Sequence, residues 1–278
     1  MNRLGIRQGS RQATTKETKG MKRRTVLLAG SVMFAASAAR AETTINVVSS
    51  GGFSETYKEL GPKFEADTGY RLNSMWGPSM GATVDAVPQR IARGENIDVL
   101  IMVGYALAKY VADDKVIADS ATPLAGAMIG MAVKQGAPVP DISTAEKLRD
   151  VMLAAKSIAY SDSASGVYIE GEMLKKLGIE DKVKAKSRMI PAEPVARVVA
   201  RGEAQIGFQT ISELLPIPGA TVVGPIPDSV QKITWFSAGV LTSSTQAAAA
   251  RALVKYLARP ENADLMREKG MIPGGPPK

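Results

Sequence analysis

TINVVSSGGFSETYKELGPKF, residues 44–64, contains a complete strand, turn and helix. Thr44–Val48 is rich in β-branched residues and predicts a strand. A helix is predicted next, because four large apolar residues recur at helical spacing: Phe53, Tyr57, Leu60 and Phe64. Gly69 marks the end of that helix. The short turn between the two elements, Ser49–Gly52, consists only of serine and glycine. A strand followed directly by a helix is the repeating unit of α/β proteins.

The same unit repeats toward the middle of the chain. Residues 70–75 predict a second strand, residues 82–93 predict a helix that ends at Gly94, and Asp98–Val103 (DVLIMV) predicts a third strand. A continuous apolar run such as the third strand is typical of a strand buried on both faces of a parallel sheet. The alternation therefore predicts right-handed crossovers and parallel pairing.

The alternation restarts after Pro123, which indicates a second lobe. Further strands are predicted at 126–133, 157–159, 205–208 and 233–241, and further helices at 145–155, 167–177, 195–201, 246–257 and 261–269. We expect an α/β protein whose first lobe comprises 42–124 and 236–278 and whose second lobe comprises 125–235. A chain that leaves a lobe and returns to it creates a cleft, and ligands of open α/β sheets bind beyond the carboxyl ends of the strands.

Residues 1–41 have the pattern of an export leader. Three basic residues, Lys22 to Arg24, precede the apolar run 25–38, and Ala39-Arg40-Ala41 matches a small-x-small cleavage site. The apolar run is too short for a stable membrane anchor. The leader predicts a periplasmic protein, and either Met1 or Met21 could be the initiating residue.

Composition excludes several kinds of chemistry. The chain has no cysteine and no histidine. Disulfides, Cys/His zinc sites and Ser-His-Asp triads are therefore excluded, and a general base must be Asp, Glu, Lys or Tyr. Residues 1–41 contain nine of the 35 Lys/Arg and one of the 27 Asp/Glu, which leaves 26 of each after the leader. A neutral mature chain gives no argument for nucleic acid. We expect no metal and no cofactor.

Three strand-to-helix turns share serine and glycine. They are Ser49-Ser50-Gly51-Gly52, Gly77-Pro78-Ser79-Met80-Gly81 and Ser161-Asp162-Ser163-Ala164-Ser165-Gly166. Free N–H groups and the dipole at a helix start favour an anion. Convergence of the three turns on one cleft would make an anion site. Each serine is alternatively an ordinary helix cap. The predicted ligand-binding residues of the turns are Ser49, Ser50, Gly51, Ser79, Met80, Gly81, Ser161, Ser163, Ser165 and Gly166.

Four more residues are predicted near the cleft, and three of them have a structural alternative. Tyr105 follows the third strand and either donates its hydroxyl to an anion or packs at a helix start. Gln209 follows residues 205–208 and either binds a carboxylate or is a plain loop residue. Arg188 lies in a proline-flanked loop and could form a two-pronged pair with a carboxylate. Glu193, in the same loop, is either a base or an acid that complements a helix dipole.

The runs VVSSGG, GPSMG, RIARGENIDVLIMVG and VVARGEAQIGFQ resemble the molybdate-binding-protein type of class II periplasmic binding proteins, over essentially the whole chain after the leader. The resemblance implies two lobes with a ligand cleft between them, and an oxyanion bound by hydroxyls and backbone amides. Met80 and Phe208-Gln209 depart from the molybdate pattern, which argues against a tetrahedral metal oxyanion.

The segments MAVKQGAPVPDIS, AYSDSASGVY and RMIPAEP are further similar to the aconitate isomerase family, exported enzymes of this fold. This resemblance implies an allylic proton shift between trans- and cis-aconitate, a tricarboxylate. For that reaction the chain offers Asp162 or Glu193 as base and Tyr105 as the group that returns the proton. The alternative is a binding protein that delivers a carboxylate or oxyanion to an ABC permease. We expect a monomer in either case.

Overall fold

A computed structural model describes residues 43–191 and 193–276. The predicted leader, residues 1–41, lies outside the described residues. The strands, in chain order, are β1 Thr44–Ser49, β2 Arg71–Trp76, β3 Val99–Val103, β4 Thr122–Ala127, β5 Ile129–Lys134, β6 Ile158–Ser161, β7 Ser187–Ile190, β8 Ile206–Thr210, β9 Ala220–Pro225, β10 Thr234–Val240 and β11 Met271–Pro273.

The α-helices of the described residues are α1 Gly51–Thr68, α2 Val87–Ala92, α3 Gly104–Ala112, α4 Ala145–Ala154, α5 Ala164–Tyr168, α6 Leu174–Lys176, α7 Glu180–Val183, α8 Val195–Ala200, α9 Ile211–Leu214, α10 Ala247–Leu257 and α11 Ala263–Glu268. A π-helical turn, Ile169–Met173, joins α5 to α6, so the predicted helix 167–177 is one helical segment with a local widening. Among the described residues, no helix has the length and apolar character needed to cross a membrane.

The strands form two sheets. One has six strands in the order β11-β4-β10-β3-β1-β2, and the other has five in the order β7-β6-β8-β5-β9. The predicted parallel pairing of the first three strands is confirmed, since β1 pairs parallel with both β2 and β3. Each sheet is nevertheless mixed, because β10 runs antiparallel to β3 and β5 runs antiparallel to β8. We call the six-stranded sheet with its helices the first lobe and the five-stranded sheet with its helices the second lobe.

The chain crosses between the lobes twice. Residues 126–133, predicted as one strand, are in fact the end of β4 and most of β5, which belong to different sheets. The chain returns to the first lobe between β9 and β10. The two crossings contact each other, because the Gln231 side chain accepts a hydrogen bond from Ile129 N and donates one to Ile129 O, each at 2.9 Å. One glutamine therefore joins the outgoing and the returning segment.

The predicted core positions of the first lobe are buried. Phe53, Tyr57, Leu60 and Phe64 of α1 are at most 2% exposed, and β3 is buried along its whole length. Full burial of each large apolar side chain stabilises the fold by about 1.5–3 kcal/mol. Asp98, which precedes β3, is also buried and accepts hydrogen bonds from Asn46 N at 2.8 Å and Ser244 Oγ at 2.5 Å. A buried carboxylate is tolerated here because its oxygens have donors.

Several predicted boundaries were wrong. The helix expected at 82–93 begins only at Val87, where Pro88 occupies the first turn, as proline favours. Strands β7, β9 and β11 were missed, since each is short or at a sheet edge. The loop predicted at 188–194 begins instead as a strand, because residues 188–190 belong to β7, which places Arg188 on an edge strand.

Candidate functional site

A cavity of about 850 Å³ lies between the two lobes. Its wall includes the last residues of the first-lobe strands, Ser49, Trp76 and Val103, and of the second-lobe strands, Ser161 and Thr210. The carboxyl ends of parallel strands from both sheets therefore open into one space, which is where α/β proteins bind ligands.

The structure brings most of the predicted site residues together in this wall. They are Ser49, Ser50, Gly51, Ser79, Met80, Gly81, Tyr105, Ser161, Asp162, Ser163, Ser165, Glu193 and Gln209. Three turns that lie far apart in the sequence thus share one cavity. Whether each residue contacts a substrate remains a prediction.

Two predicted residues, Gly166 and Arg188, do not line the cavity. Gly166 is buried in α5 and approaches the backbone carbonyl of Ser161 so closely that a side chain would collide with it. It shapes the turn. The Arg188 guanidinium lies 3.5 Å from the Glu203 carboxylate on the protein surface. The structure therefore does not place Arg188 where it could pair with a ligand in the cavity, because β7 directs it elsewhere.

The capping alternative for the serines is not supported by the hydrogen bonds. Ser50 precedes α1 and Ser163 precedes α5, yet neither side chain makes a capping bond. Thr144, outside the cavity, shows what a cap looks like in this chain, since its hydroxyl accepts from Lys147 N at 3.3 Å. The serines at the cavity therefore leave the first N–H groups of their helices available.

The second-lobe turn presents a cluster of three hydroxyls. Ser161 Oγ lies 2.7 Å from Ser163 Oγ and 3.0 Å from Ser165 Oγ, and the latter two are 3.3 Å apart. Such a cluster can orient its protons together toward an acceptor, because a hydroxyl rotates to suit its partner.

The first lobe contributes two hydroxyls with capacity left for a ligand. Ser50 Oγ is buried and has no hydrogen-bond partner among the described residues. Ser79 Oγ accepts from Val103 N at 3.0 Å, so its own proton is not used by that bond. A buried hydroxyl without a partner is uncommon in proteins, and a ligand that accepts its hydrogen bond would satisfy it.

Gln209 and Glu193 have partners within the protein. Gln209 Oε1 accepts from Val195 N, the first residue of α8, at 2.8 Å. The Glu193 carboxylate is bound by two nitrogens of Arg201 at 3.0 Å. This pair holds the pKa of Glu193 below its usual range. A carboxylate with a lowered pKa is a weaker base.

Tyr105 and Asp162 are more exposed members of the wall. Tyr105 is 56% exposed and its hydroxyl donates to Met80 Sδ at 3.5 Å. Partial burial raises its pKa. The Asp162 carboxylate has no hydrogen-bond or ion-pair partner within residues 43–191 and 193–276.

The sequence analysis missed Glu213, which also lines the cavity. Its Oε2 accepts from Thr210 Oγ1 at 2.5 Å, and its Oε1 lies against Gly51 at the start of α1. Burial raises the pKa of Glu213, hydrogen bonds from Thr210 and Gln209 lower it, and the charge of Asp162 raises it further. The available signal was the T-x-x-E spacing of Thr210 and Glu213, but that spacing indicates a helix start rather than a site.

The balance of charge in the wall is acidic. Lys58 is the cation among the described lining residues, and the acids are Asp85, Asp162, Glu193 and Glu213. Two of the acids are neutralised by arginines, Asp85 by Arg90 and Glu193 by Arg201. An anion in this cavity must therefore be bound mainly by amides, hydroxyls and helix dipoles. No cluster of three metal-binding side chains occurs in the part of the chain that the structure describes.

The chain has two lobes built on mixed sheets, and it crosses between them twice. Helix starts from each lobe form the cavity. These features together define the class II periplasmic-binding fold. A family model of bacterial extracellular solute-binding proteins matches residues 45–272. The chain belongs to that family. An aconitate isomerase of a Pseudomonas species is 48% identical over 236 residues, which are 85% of this chain and 90% of that protein.

Solved structures share the fold at low sequence identity. The periplasmic molybdate-binding protein of Azotobacter vinelandii superimposes with a TM-score of 0.66 at 18% identity, over 84% of this chain and all of that one. The sulfate-binding protein SubI of Mycobacterium tuberculosis gives 0.65 at 18% identity, over 84% of this chain and 87% of that one. The predicted two-lobed fold class is confirmed.

Proposed function

We propose that this protein is a periplasmic aconitate isomerase that interconverts trans- and cis-aconitate in the cavity between the lobes. Two observations together support the proposal. The chain is 48% identical to an aconitate isomerase over most of its length, and its cavity has hydroxyls and helix starts on both sides.

The tricarboxylate is bound by groups that need no fixed cation. One carboxylate binds at the start of α1 in this proposal, where Ser50, Gly51, Gly52 and Ser79 line the cavity. A second carboxylate is placed at the Ser161, Ser163 and Ser165 hydroxyls of the other lobe. Helix N-termini stabilise the negative charge that develops on a substrate carboxylate when the adjacent carbon loses its proton.

The base is a carboxylate of the wall. Of the two expected acids, Glu193 is paired with Arg201, whereas Asp162 has no such partner. Asp162 is therefore the base in this proposal. It removes a proton from the substrate methylene, whose C–H electron pair becomes the new double bond. The pair of the old double bond then takes a proton at the far carbon.

The sequence analysis predicts Tyr105 as the residue that gives a proton to the far carbon. Its hydroxyl lies at the rim of the cavity beside Met80. A phenol can act as a general acid when it reaches the reacting carbon. Tyr105 remains one proposed donor for this step.

A second candidate function is delivery of a carboxylate to an ABC permease, and membership of the solute-binding family favours it. A binding protein with this cavity would bind the same tricarboxylate without chemistry, since a fold does not fix a function. We also propose export to the periplasm through the leader, and action as a monomer.

Turnover separates the two functions. Purified protein is incubated with trans-aconitate, and the cis isomer is followed by proton NMR. The isomerase proposal expects equilibration of the two isomers at a rate proportional to protein concentration. Tight binding without any conversion would contradict it and leave the transport function.

A further inference from the structure

The Glu213 carboxyl group lies in the cavity wall, close to the start of α1. Glu213 is the third residue of α9, and it lines the same cavity as Gly51 and Gly52, whose amides are proposed to bind a substrate carboxylate. Glycine at position 51 permits this approach, because a side chain there would collide with Glu213 Oε1. Asp162, on the same lobe as Glu213, lines the same cavity and acts electrostatically on Glu213.

We infer that Glu213, in its protonated form, is the catalytic acid that returns the proton to the substrate, an inference that rests on the proposed isomerase function. Asp162 accepts the proton of the methylene carbon and Glu213 gives its own proton to the far carbon of the allylic system. One C–H bond breaks, one forms, and the double bond moves by one position. Asp162 ends protonated and Glu213 ionised, and exchange with water restores both.

The surroundings of Glu213 favour this role over a purely structural one. Burial and the negative charge of Asp162 keep the carboxyl protonated at higher pH than usual, and an anionic substrate acts in the same direction. The Thr210 hydroxyl, 2.5 Å from Oε2, orients the group. The remaining charged residues of the wall are Lys58, Asp85 and Glu193, of which the last two are paired with arginines. Tyr105, by contrast, is more than half exposed at the rim.

The test compares E213Q with the wild type, using E261Q as a matched control because Glu261 is exposed and does not line the cavity. Glutamine keeps the shape of Glu213 and accepts the Thr210 bond but has no acid proton. We expect kcat of E213Q to fall by about 10²–10⁴-fold with KM changed less than about threefold, and E261Q to match the wild type. In the wild type, kcat should fall as pH rises through the raised pKa of Glu213, and this limb should be absent in E213Q.

The possible outcomes test the isomerase function and the role of Glu213 separately. An inactive wild type that binds trans-aconitate overturns the proposed function itself. An active wild type with an E213Q variant of unchanged kcat, or loss of turnover in Y105F but not in E213Q, overturns the role of Glu213 alone. A loss in E213Q caused by misfolding is recognised by a lowered melting temperature, and the pH–rate profile of the wild type then decides the question without a variant.

Discussion

The hydroxyl of Ser50 shows how a single residue can be suited to a ligand rather than to the fold. It is buried at the start of α1 and has no partner among the described residues. An unsatisfied buried polar group costs about 1–3 kcal/mol of stability. The cost is understandable if a substrate carboxylate accepts the missing hydrogen bond.

Replacing Ser50 tests this explanation. S50A should raise the free energy of unfolding of the ligand-free protein by about 1 kcal/mol, because it removes an unsatisfied group. The same variant should bind trans-aconitate about tenfold more weakly. Urea denaturation and titration calorimetry measure the two effects.

Ser187 is the matched control. Its hydroxyl is also buried without a partner, but it lies on β7 and does not line the cavity. S187A should stabilise the protein like S50A and leave the affinity unchanged. An equal loss of affinity in both variants would contradict a specific role for Ser50.

The base assignment makes a second prediction. Replacing Asp162 and Glu193 together with amides, D162N and E193Q, should reduce turnover at least 100-fold, because general base catalysis contributes about 10²–10⁴-fold. D162N alone should account for nearly all of the loss, since Arg201 already lowers the pKa of Glu193. Turnover that survives the double change would show that neither carboxylate is the base.

Glu213 also links stability to pH. Its pKa is raised in the folded protein, so its contribution to stability is complete below the ordinary carboxyl pKa and is lost as pH rises through the raised value. E213Q should therefore melt at a higher temperature than the wild type at pH 8, and the difference should vanish near pH 4. Calorimetry at the two pH values checks the sign, and a difference that grows toward acid would be opposite to the expected one.

At the residue scale, the sequence predicted the serine turns because strand, turn and helix signals lie next to one another. It could not predict Glu213 as a site residue, because Thr210 and Glu213 have the spacing of an ordinary helix start. Arg188 was placed in the site because the sequence around it is proline-flanked and loop-like. In the structure β7 pairs with β6, and the Arg188 side chain lies next to Glu203 instead. The sequence immediately around Arg188 does not indicate this pairing, because β6 lies far from it along the chain.

At the scale of elements, the crossings between the lobes determine how the cavity walls meet. Residue 128 lies between β4 and β5, but the sequence 126–133 is apolar or glycine throughout. The hydrophobic pattern alone therefore predicts a single strand. The change of sheet depends on contacts made more than 100 residues away, such as Gln231 with Ile129. The predicted α1 and β3 were correct because each has a strong and complete local pattern.

Gln231 offers a test at this scale. Q231L leaves the buried Ile129 N–H without an acceptor, so it should reduce the free energy of unfolding by about 1–3 kcal/mol. Q205L is the control, because Gln205 Oε1 accepts from Lys156 N at 2.7 Å in an exposed place where water can replace it. Chemical denaturation should show a much smaller effect for Q205L. Equal effects would mean that burial of the Gln231 contact is unimportant.

At the scale of the whole molecule, two lobes provide complementary walls for one anion. Neither lobe alone encloses the cavity, because the hydroxyl cluster lies on the second lobe and the start of α1 on the first. A ligand that contacts both walls binds only the folded protein. It therefore stabilises the fold by about 2.7 kcal/mol at a concentration of 100 times its Kd.

Thermal shift distinguishes the ligand classes. Trans-aconitate should raise the melting temperature in a concentration-dependent way, whereas molybdate and sulfate should leave it unchanged, since Met80 and Phe208-Gln209 depart from the molybdate pattern. A larger shift with molybdate would favour an oxyanion-binding protein.

A crystal structure of the D162N variant with trans-aconitate would show directly whether the cavity binds the tricarboxylate between its two walls. We expect one carboxylate against the amides of Gly51 and Gly52, another against the Ser161, Ser163 and Ser165 hydroxyls, and the methylene carbon facing residue 162. A cavity that stays empty at saturating ligand, or a ligand bound elsewhere on the surface, would contradict this expectation.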